Sequence, residues 1–485
     1  MHFRMIACAV CVHSVWLAAG CATPFDRPPT QSDTTPTDTS VPGPAASTFH
    51  SQGSDESAKN ATPTLTDSSN ADAYVRYALF HNPGVEAAYQ QWRAASERIP
   101  QARALPDPRL SVGFFLEEVE TRVGPQQARV GLSQTFPWPG ILGDREDAAA
   151  QEARAAWQRF QNARLAVTER VVRTLHELAY LDRAIQINRE NLDLLRSFED
   201  IVRSRYRVGT GSHPELIRVQ VELGQLDDRL RRLEAMRPAY AAELNAVLNR
   251  PGNTPVPVLG RLPGVVASID ADALDELARR NNPALLAMDE QTEAARTRTE
   301  LARRADLPDI TLGLDYIFTG EAVSAGVPES GDDPVLLNFG ITVPLWREKY
   351  EAGVRESIAQ RLSITHERAE QANLLSAAIH RAWFEHNDAD RRVRLFEQTL
   401  IPKAEESLRA SLAGFRTGGT GFLDLLDTER TLLEFSLSAE RARADRGKAL
   451  ATLNRLAGGA IPTDRADRQN TGTLPDTDTS SEEEQ

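Results

Sequence analysis

The sequence predicts a mainly α-helical chain with a small β part, in which one unit of long coiled-coil hairpins and two short strands is written twice. Three observations predict it. Short motifs recur in the same order at offsets of 200 to 209 residues. Apolar residues advance in alternating steps of three and four over stretches far longer than an ordinary helix. Four other stretches of about ten residues carry apolar side chains at every second position, which is the period of a strand.

The chain begins with what reads as a signal peptide, residues 1–20. Arg4 is its basic region, Met5 to Leu17 its apolar stretch, and "LAAGC" ends at Cys21. A cysteine after small residues at this place resembles the lipobox of bacterial lipoproteins, with the leucine one position early, at Leu17, and Ala18 in the usual leucine place. That resemblance implies that Cys21 is acylated and becomes the first residue of the mature chain. Ordinary secretion with an incidental cysteine is the other reading. Several acyl chains, each contributing roughly 0.8 kcal/mol per buried CH₂, hold a protein to a membrane. Cys8 and Cys11 fall in the removed segment, so no intrachain disulfide is expected. Residues 21–70 are rich in Thr, Ser, Pro, Asp and Gly and predict a flexible tether. The acidic tail 461–485 predicts the same.

Between them lie two copies, 71–258 and 259–460. Asn82-Pro83 answers Asn282-Pro283, Pro106-Asp107 answers Pro308-Asp309, and "QTFPWPG" at 134–140 answers "ITVPLWR" at 341–347. Both copies close with "LNR", at 248–250 and 453–455. Strands are expected over about 109–118 and 128–136, then 309–319 and 335–343. Leu110, Val112, Phe114 and Leu116 alternate with Ser111 and Gly113; Leu312, Leu314, Tyr316 and Phe318 alternate with Gly313 and Asp315. One greasy and one small or polar face suits a transmembrane β-barrel with a wet interior. A soluble two-sided sheet is the commoner use of the pattern. The polar stretches "EEVETRVGPQQ" and "TGEAVSAGVPESGDD" read as outward loops, which favours the barrel.

Long helices follow each strand pair. From about 143 to 207 there is no Pro, and a seam runs through Leu178, Leu181, Ile185, Asn188, Leu192, Leu195, Glu199, Val202 and Tyr206. Beyond it a second seam runs from Leu216 to Val247, with Pro238 inside it, where a kink or break is expected. The second copy carries Leu375, Ile379, Ala382, His386, Ala389, Val393, Phe396 and Leu400. Each pair of helices is joined by a glycine hinge, "YRVGTGSH" at 206–213 and "FRTGGTGF" at 415–422. Glycine ends a helix in the left-handed conformation, so both hinges turn a helix back at the end remote from the strands.

Four strands cannot close a barrel. Two chains give eight, which fill with their own side chains, whereas three give twelve and leave an aqueous lumen. The expected assembly is therefore a homotrimer, an α-barrel continuous with a 12-stranded transmembrane β-barrel. The net charge of −14 argues against a nucleic-acid partner. "HELAY" and "HERAE" lack the second histidine of a zinc helix, no phosphate loop follows a strand, and the mature chain has only Met236 and Met288. No enzyme, metal site or cofactor is expected.

The duplicated helix–strand–strand–helix–hinge–helix unit, the "NP" openings, the "PDP" before the first strand and "QTFPWPG" after the second resemble the TolC-like outer-membrane factors over about 70–460. The lipobox and "VETRVGPQQARVGLSQTFPWPG" resemble lipoprotein members that serve resistance-nodulation-division pumps, including heavy-metal ones. The resemblance implies a trimeric exit duct in the bacterial outer membrane with its helices in the periplasm, passively conducting substrates when a periplasmic adaptor and an inner-membrane pump engage it. It implies that Asp424 and Asp427 of "GFLDLLD" are pore-gate carboxylates. It implies that Arg207, Gly209, Thr210, Gly211, Arg416, Gly418, Gly419 and Gly421 are adaptor-docking tips. Around a three-fold axis the two acids would form rings that attract cations. Acids in the first turn of a helix also simply offset its dipole. Glu215 and Arg218 occupy the equivalent places in the first copy, and Thr420 stands where the family carries a basic tether. Two rivals remain. A lipid-anchored periplasmic coiled-coil scaffold accounts for the heptads but not for the strands. An exit duct of type I protein secretion shares the architecture.

Overall fold

The structure is a computed structural model that describes residues 65–66 and 69–465. The first copy runs α1 (Ala71–His81), α2 (Pro83–Ser96), α3 (Arg98–Arg103), β1 (Arg109–Thr121), β2 (Gly124–Phe136), α4 (Ile141–Arg207) and α5 (His213–Val247). After β3 (Val265–Ala267), the second copy runs α6 (Ala271–Asn281), α7 (Pro283–Arg303), β4 (Ile310–Thr319), β5 (Val335–Ile341), α8 (Arg347–Leu395), a π-helical turn (Phe396–Leu400), α9 (Ile401–Thr417) and α10 (Phe422–Leu456). The fold is mainly helical with a small sheet part. β1, β2, β4 and β5 form one antiparallel sheet in that order. Among the described residues no helix is long and apolar enough to cross a membrane.

The "NP" motifs have a double use. Asn82 Oδ1 accepts from the Gly84 and Val85 amides at 2.9 and 3.2 Å, capping α2, while its Nδ2 donates to the Val247 carbonyl at 2.8 Å. Asn282 caps α7 through the Ala284 amide at 2.9 Å and donates to the Leu456 carbonyl at 2.8 Å. Proline at the first helical position costs nothing there, since its missing N–H would have no partner in the helix. Each copy thus ties its second helix to the end of its last.

The heptad seams are the core. Leu178, Leu181, Leu195 and Val202 of α4 are buried, and with Val219, Leu226 and Leu230 of α5 they line the first hairpin. The Tyr206 end of the first seam departs from the pattern: that ring is exposed and lies 5.5 Å from the His213 ring. In the second copy Leu375, Ile379, Ala382, His386, Ala389 and Val393 are buried, and His386 Nε2 accepts from the Ala267 amide at 3.4 Å. The seam ends at the π turn, whose extra residue re-phases the helix just before Pro402.

Four expectations are corrected. Residues 117–127 are not a loop: β1 extends to Thr121, β2 starts at Gly124, and only Arg122 and Val123 turn. The extension is offset by a bulge, with register moving from Phe114↔Ala128 to Val119↔Gln126. Of the kink or break expected at Pro238, the break is absent: α5 continues through it, because packing along the seam outweighs the single missing hydrogen bond. The "LNR" motifs are not counterparts. The same turn closes α5 through Arg250 N to Asn245 O at 2.8 Å and α10 through Gly459 N to Asn454 O at 2.9 Å, so Leu244-Asn245 answers Leu453-Asn454. Finally, the tail begins with a strand, β6 (Thr463–Arg465), paired with β3. Leu65, in the expected tether, packs against a core cluster of α1, α4 and α5.

Candidate functional site: an uncovered sheet and paired hairpin tips

Register sorts the sheet's side chains into two faces. One carries Leu110, Val112 and Phe114, then Val130 and Leu132, then Leu312, Leu314, Tyr316 and Phe318, then Leu337, Phe339 and Ile341, directly opposed across neighbouring strands. Among the described residues no helix packs across it. Phe114, Leu337 and Phe339 are 74%, 75% and 68% exposed, values that belong to a surface water would not tolerate. Among the described residues β1 and β5 have no strand partner on their outer edges. Two open edges beside an uncovered apolar face are what a soluble sheet avoids.

The other face is mostly small and polar, with Ser111, Gly113, Gly131, Ser133, Thr135, Thr311, Gly313, Asn338 and Gly340, although Ile317 and Leu336 also lie on it. A pin across three strands crosses it. Buried Asp315 of β4 accepts from Arg129 of β2 and Asn338 of β5. Gly131 makes room for it, since a Cβ there would lie 2.0 Å from Asp315 Oδ1. Alternation alone could not reveal this pin, because it depends on which strands are neighbours.

At the far end of the hairpins the two hinges share one backbone turn. Gly209 and Gly418 have φ of 80° and 82°. The Thr210 and Gly211 amides donate to Arg205 O at 2.9 and 3.1 Å; those of Gly419 and Thr420 donate to Gly414 O at 2.8 and 3.2 Å. Arg207, Gly209, Thr210, Arg416, Gly418, Gly419 and Gly421 are exposed, and Gly211 is half-buried. A clasp joins the hinges: the Arg205 guanidinium stacks 4.5 Å above the Phe415 ring, and Nη1 donates to the Phe415 carbonyl at 3.1 Å. Phe415 and Phe422 meet at 5.8 Å beneath it.

Asp424 and Asp427 stand on the first two turns of α10, both exposed, and neither forms an ion pair among the described residues. Asp424 lies in the first turn of a helix whose N-cap, Gly421, has no side chain to cap it. In the first copy the equivalent Glu215 accepts from the Ser212 amide at 3.2 Å and so serves the cap. Glu429, which sequence reasoning passed over, is buried two residues beyond Asp427. Cys21 lies outside the described residues, and among these no cluster of His, Cys, Asp or Glu is arranged to hold a metal.

The sequence profile of the outer membrane efflux protein family matches residues 75–250 and 274–459, one match per copy. The chain belongs to the outer membrane efflux protein family. The outer membrane protein TolC of Vibrio cholerae is 24% identical over 381 residues, 75% of this chain and 85% of the relative. The cobalt-zinc-cadmium resistance protein CzcC of Cupriavidus metallidurans is 20% identical over 400 residues, 80% and 89%. The crystal structure of the outer membrane protein VceC from Vibrio cholerae superposes with a TM-score of 0.67 at 17% identity, over 81% of this chain and 97% of that one. The outer membrane efflux family is one of channels, not of enzymes, and the likeness to VceC confirms the fold.

Proposed function

We propose that the protein is a homotrimeric exit duct of a tripartite efflux pump. Three four-stranded sheets join edge to edge into a 12-stranded barrel in the outer membrane, and the hairpins form an α-barrel in the periplasm. The observation that carries this reading is the uncovered apolar face with two open edges. Lipid covers such a face, and only neighbouring sheets satisfy such edges. The polar face then lines the lumen.

The remaining assignments rest on this one. Cys21 carries the lipid anchor. Asp424 and Asp427 ring the periplasmic mouth, where unpaired carboxylates draw cations and narrow the closed pore. Residues Arg207 to Gly211 and Arg416 to Gly421 form the rim that a periplasmic adaptor engages. The resemblance of "VETRVGPQQARVGLSQTFPWPG" to members serving resistance-nodulation-division pumps supports a pump of that type, and a family relative is named for cobalt-zinc-cadmium resistance. The chain conducts passively and needs no cofactor.

The test is single-channel recording of the purified mature protein in planar bilayers. Asp424→Ala with Asp427→Ala raises conductance and weakens cation selectivity. If both stayed unchanged, the acids would only serve the helix dipole. Recovery of the mature chain as a soluble, lipid-free monomer without pore activity would contradict the duct itself and favour a periplasmic scaffold.

A further inference from the structure

Glu429 is the one acid of the tip half of α10 that points inward. It is 1% exposed. Its Oε1 accepts from Asn191 Nδ2 of α4, while Oε2 is buried with no partner. Leu192, Leu195, Leu425 and Leu426 of the same core cluster surround this level. Across it, Glu222 of α5 is paired with Arg430, the next residue of α10. Three long helices therefore meet at a carboxyl with half of its hydrogen bonds unmade.

We propose that Glu429 is a proton-controlled latch on the second hairpin: its neutral carboxyl seats α10 against α4, and its ionised carboxylate loosens the tip-proximal part of α10. A buried carboxylate with an unpaired oxygen is costly, and the neutral acid is far less so. The groups around it agree. Burial acts most strongly, and the like charge of Glu222 adds to it. Asn191 from α4 and Arg430 on its own helix act in the opposite direction, but Arg430 is engaged by Glu222. Asp427, one turn nearer the tip, bears on Arg430. α9 meets α10 here through Leu408, Leu412 and Ser411, the last against Thr428 at 3.4 Å. The net result pushes the Glu429 carboxyl up to about 7.

The direction of the pH effect follows. The folded chain holds this proton more tightly than the unfolded chain, so the stability it contributes is full below about pH 4.5 and is lost as pH rises through about 7. The tip tightens in acid and loosens at neutral to alkaline pH. How this affects conduction rests on the duct reading, but the latch itself does not.

Hydrogen exchange on the full mature chain in detergent tests it, with amides 422–433 followed at pH 6 and pH 8 after correction for intrinsic rates. Protection of the unaltered protein falls about tenfold between the two, as expected for an opening that frees the carboxyl. Glu429→Gln removes the fall. Glu222→Gln, which keeps the latch but removes the like charge, moves the midpoint to lower pH. An undiminished fall in Glu429→Gln, a flat response of the unaltered protein, or an unmoved midpoint in Glu222→Gln would each overturn the latch. A non-conducting protein with the latch response would fail the duct alone.

Discussion

The two hinges use one backbone turn and fill it with opposite side chains. In the first, the position that starts the turn is Arg205 and the position that closes it is Gly211, whose Cβ would sit 3.0 Å from Arg205 Cβ. In the second, the start is Gly414 and the close is Thr420, whose hydroxyl would lie 2.1 Å from a Cβ on Gly414. The turn brings these positions so close that one of them must be glycine, and the copies made the choice in opposite directions. Duplication preserved the backbone and released the side chains. The first hinge used the freedom to send Arg205 across to Phe415. The second took a glycine cap and left Asp424 free where Glu215 closes a capping box. The copies share the backbone that makes the turn and differ in the side chains it presents.

Asn282 is buried and Asn82 is half-buried, although both make the same bonds. Asn282→Ala should cost about 2 kcal/mol and Asn82→Ala about 1 kcal/mol: Val247 and Leu456 are equally buried, but water can reach the half-buried Asn82 position to replace the lost donor and cannot reach Asn282. Thermal unfolding of the two variants side by side checks the order, and equal losses would mean that burial does not separate the copies. Gly414→Ala should cost about 1 kcal/mol or slightly more through the clash with Thr420. Adding Thr420→Gly, which writes the first hinge's solution to this clash into the second, should restore the loss. Failure of that rescue would show that the hinges are not interchangeable.

Much of this was legible in the sequence, for identifiable reasons. The seams through Leu178 to Val202 and Leu375 to Val393 follow a period that only coiled helices satisfy, and the sheet's rows follow the period of a strand. Gly209 and Gly418 announced their turns because few other residues adopt positive φ cheaply. What escaped depends on contacts distant in sequence. Residues 117–127 looked like a loop because they are polar, but polar residues also suit a strand that rises beyond an apolar band. Pro238 reads as a kink or break on local propensity, yet the seam carries the helix through it without a break. The Asp315 pin, the Arg205 clasp and the Glu429 pocket each join residues from different copies, 186, 210 and 238 positions apart in the chain. No local period encodes such pairs.

In the proposed duct one face of this sheet meets lipid and the other meets water. Single cysteines placed in turn at Val335 to Ile341 of β5 test it most directly, in the mature protein reconstituted into vesicles. The account predicts a period of two. Positions 336, 338 and 340 react with a water-soluble maleimide, whereas probes at 335, 337, 339 and 341 are quenched by brominated acyl chains. Equal reaction of both rows with the water-soluble reagent, and no quenching at either, would contradict it.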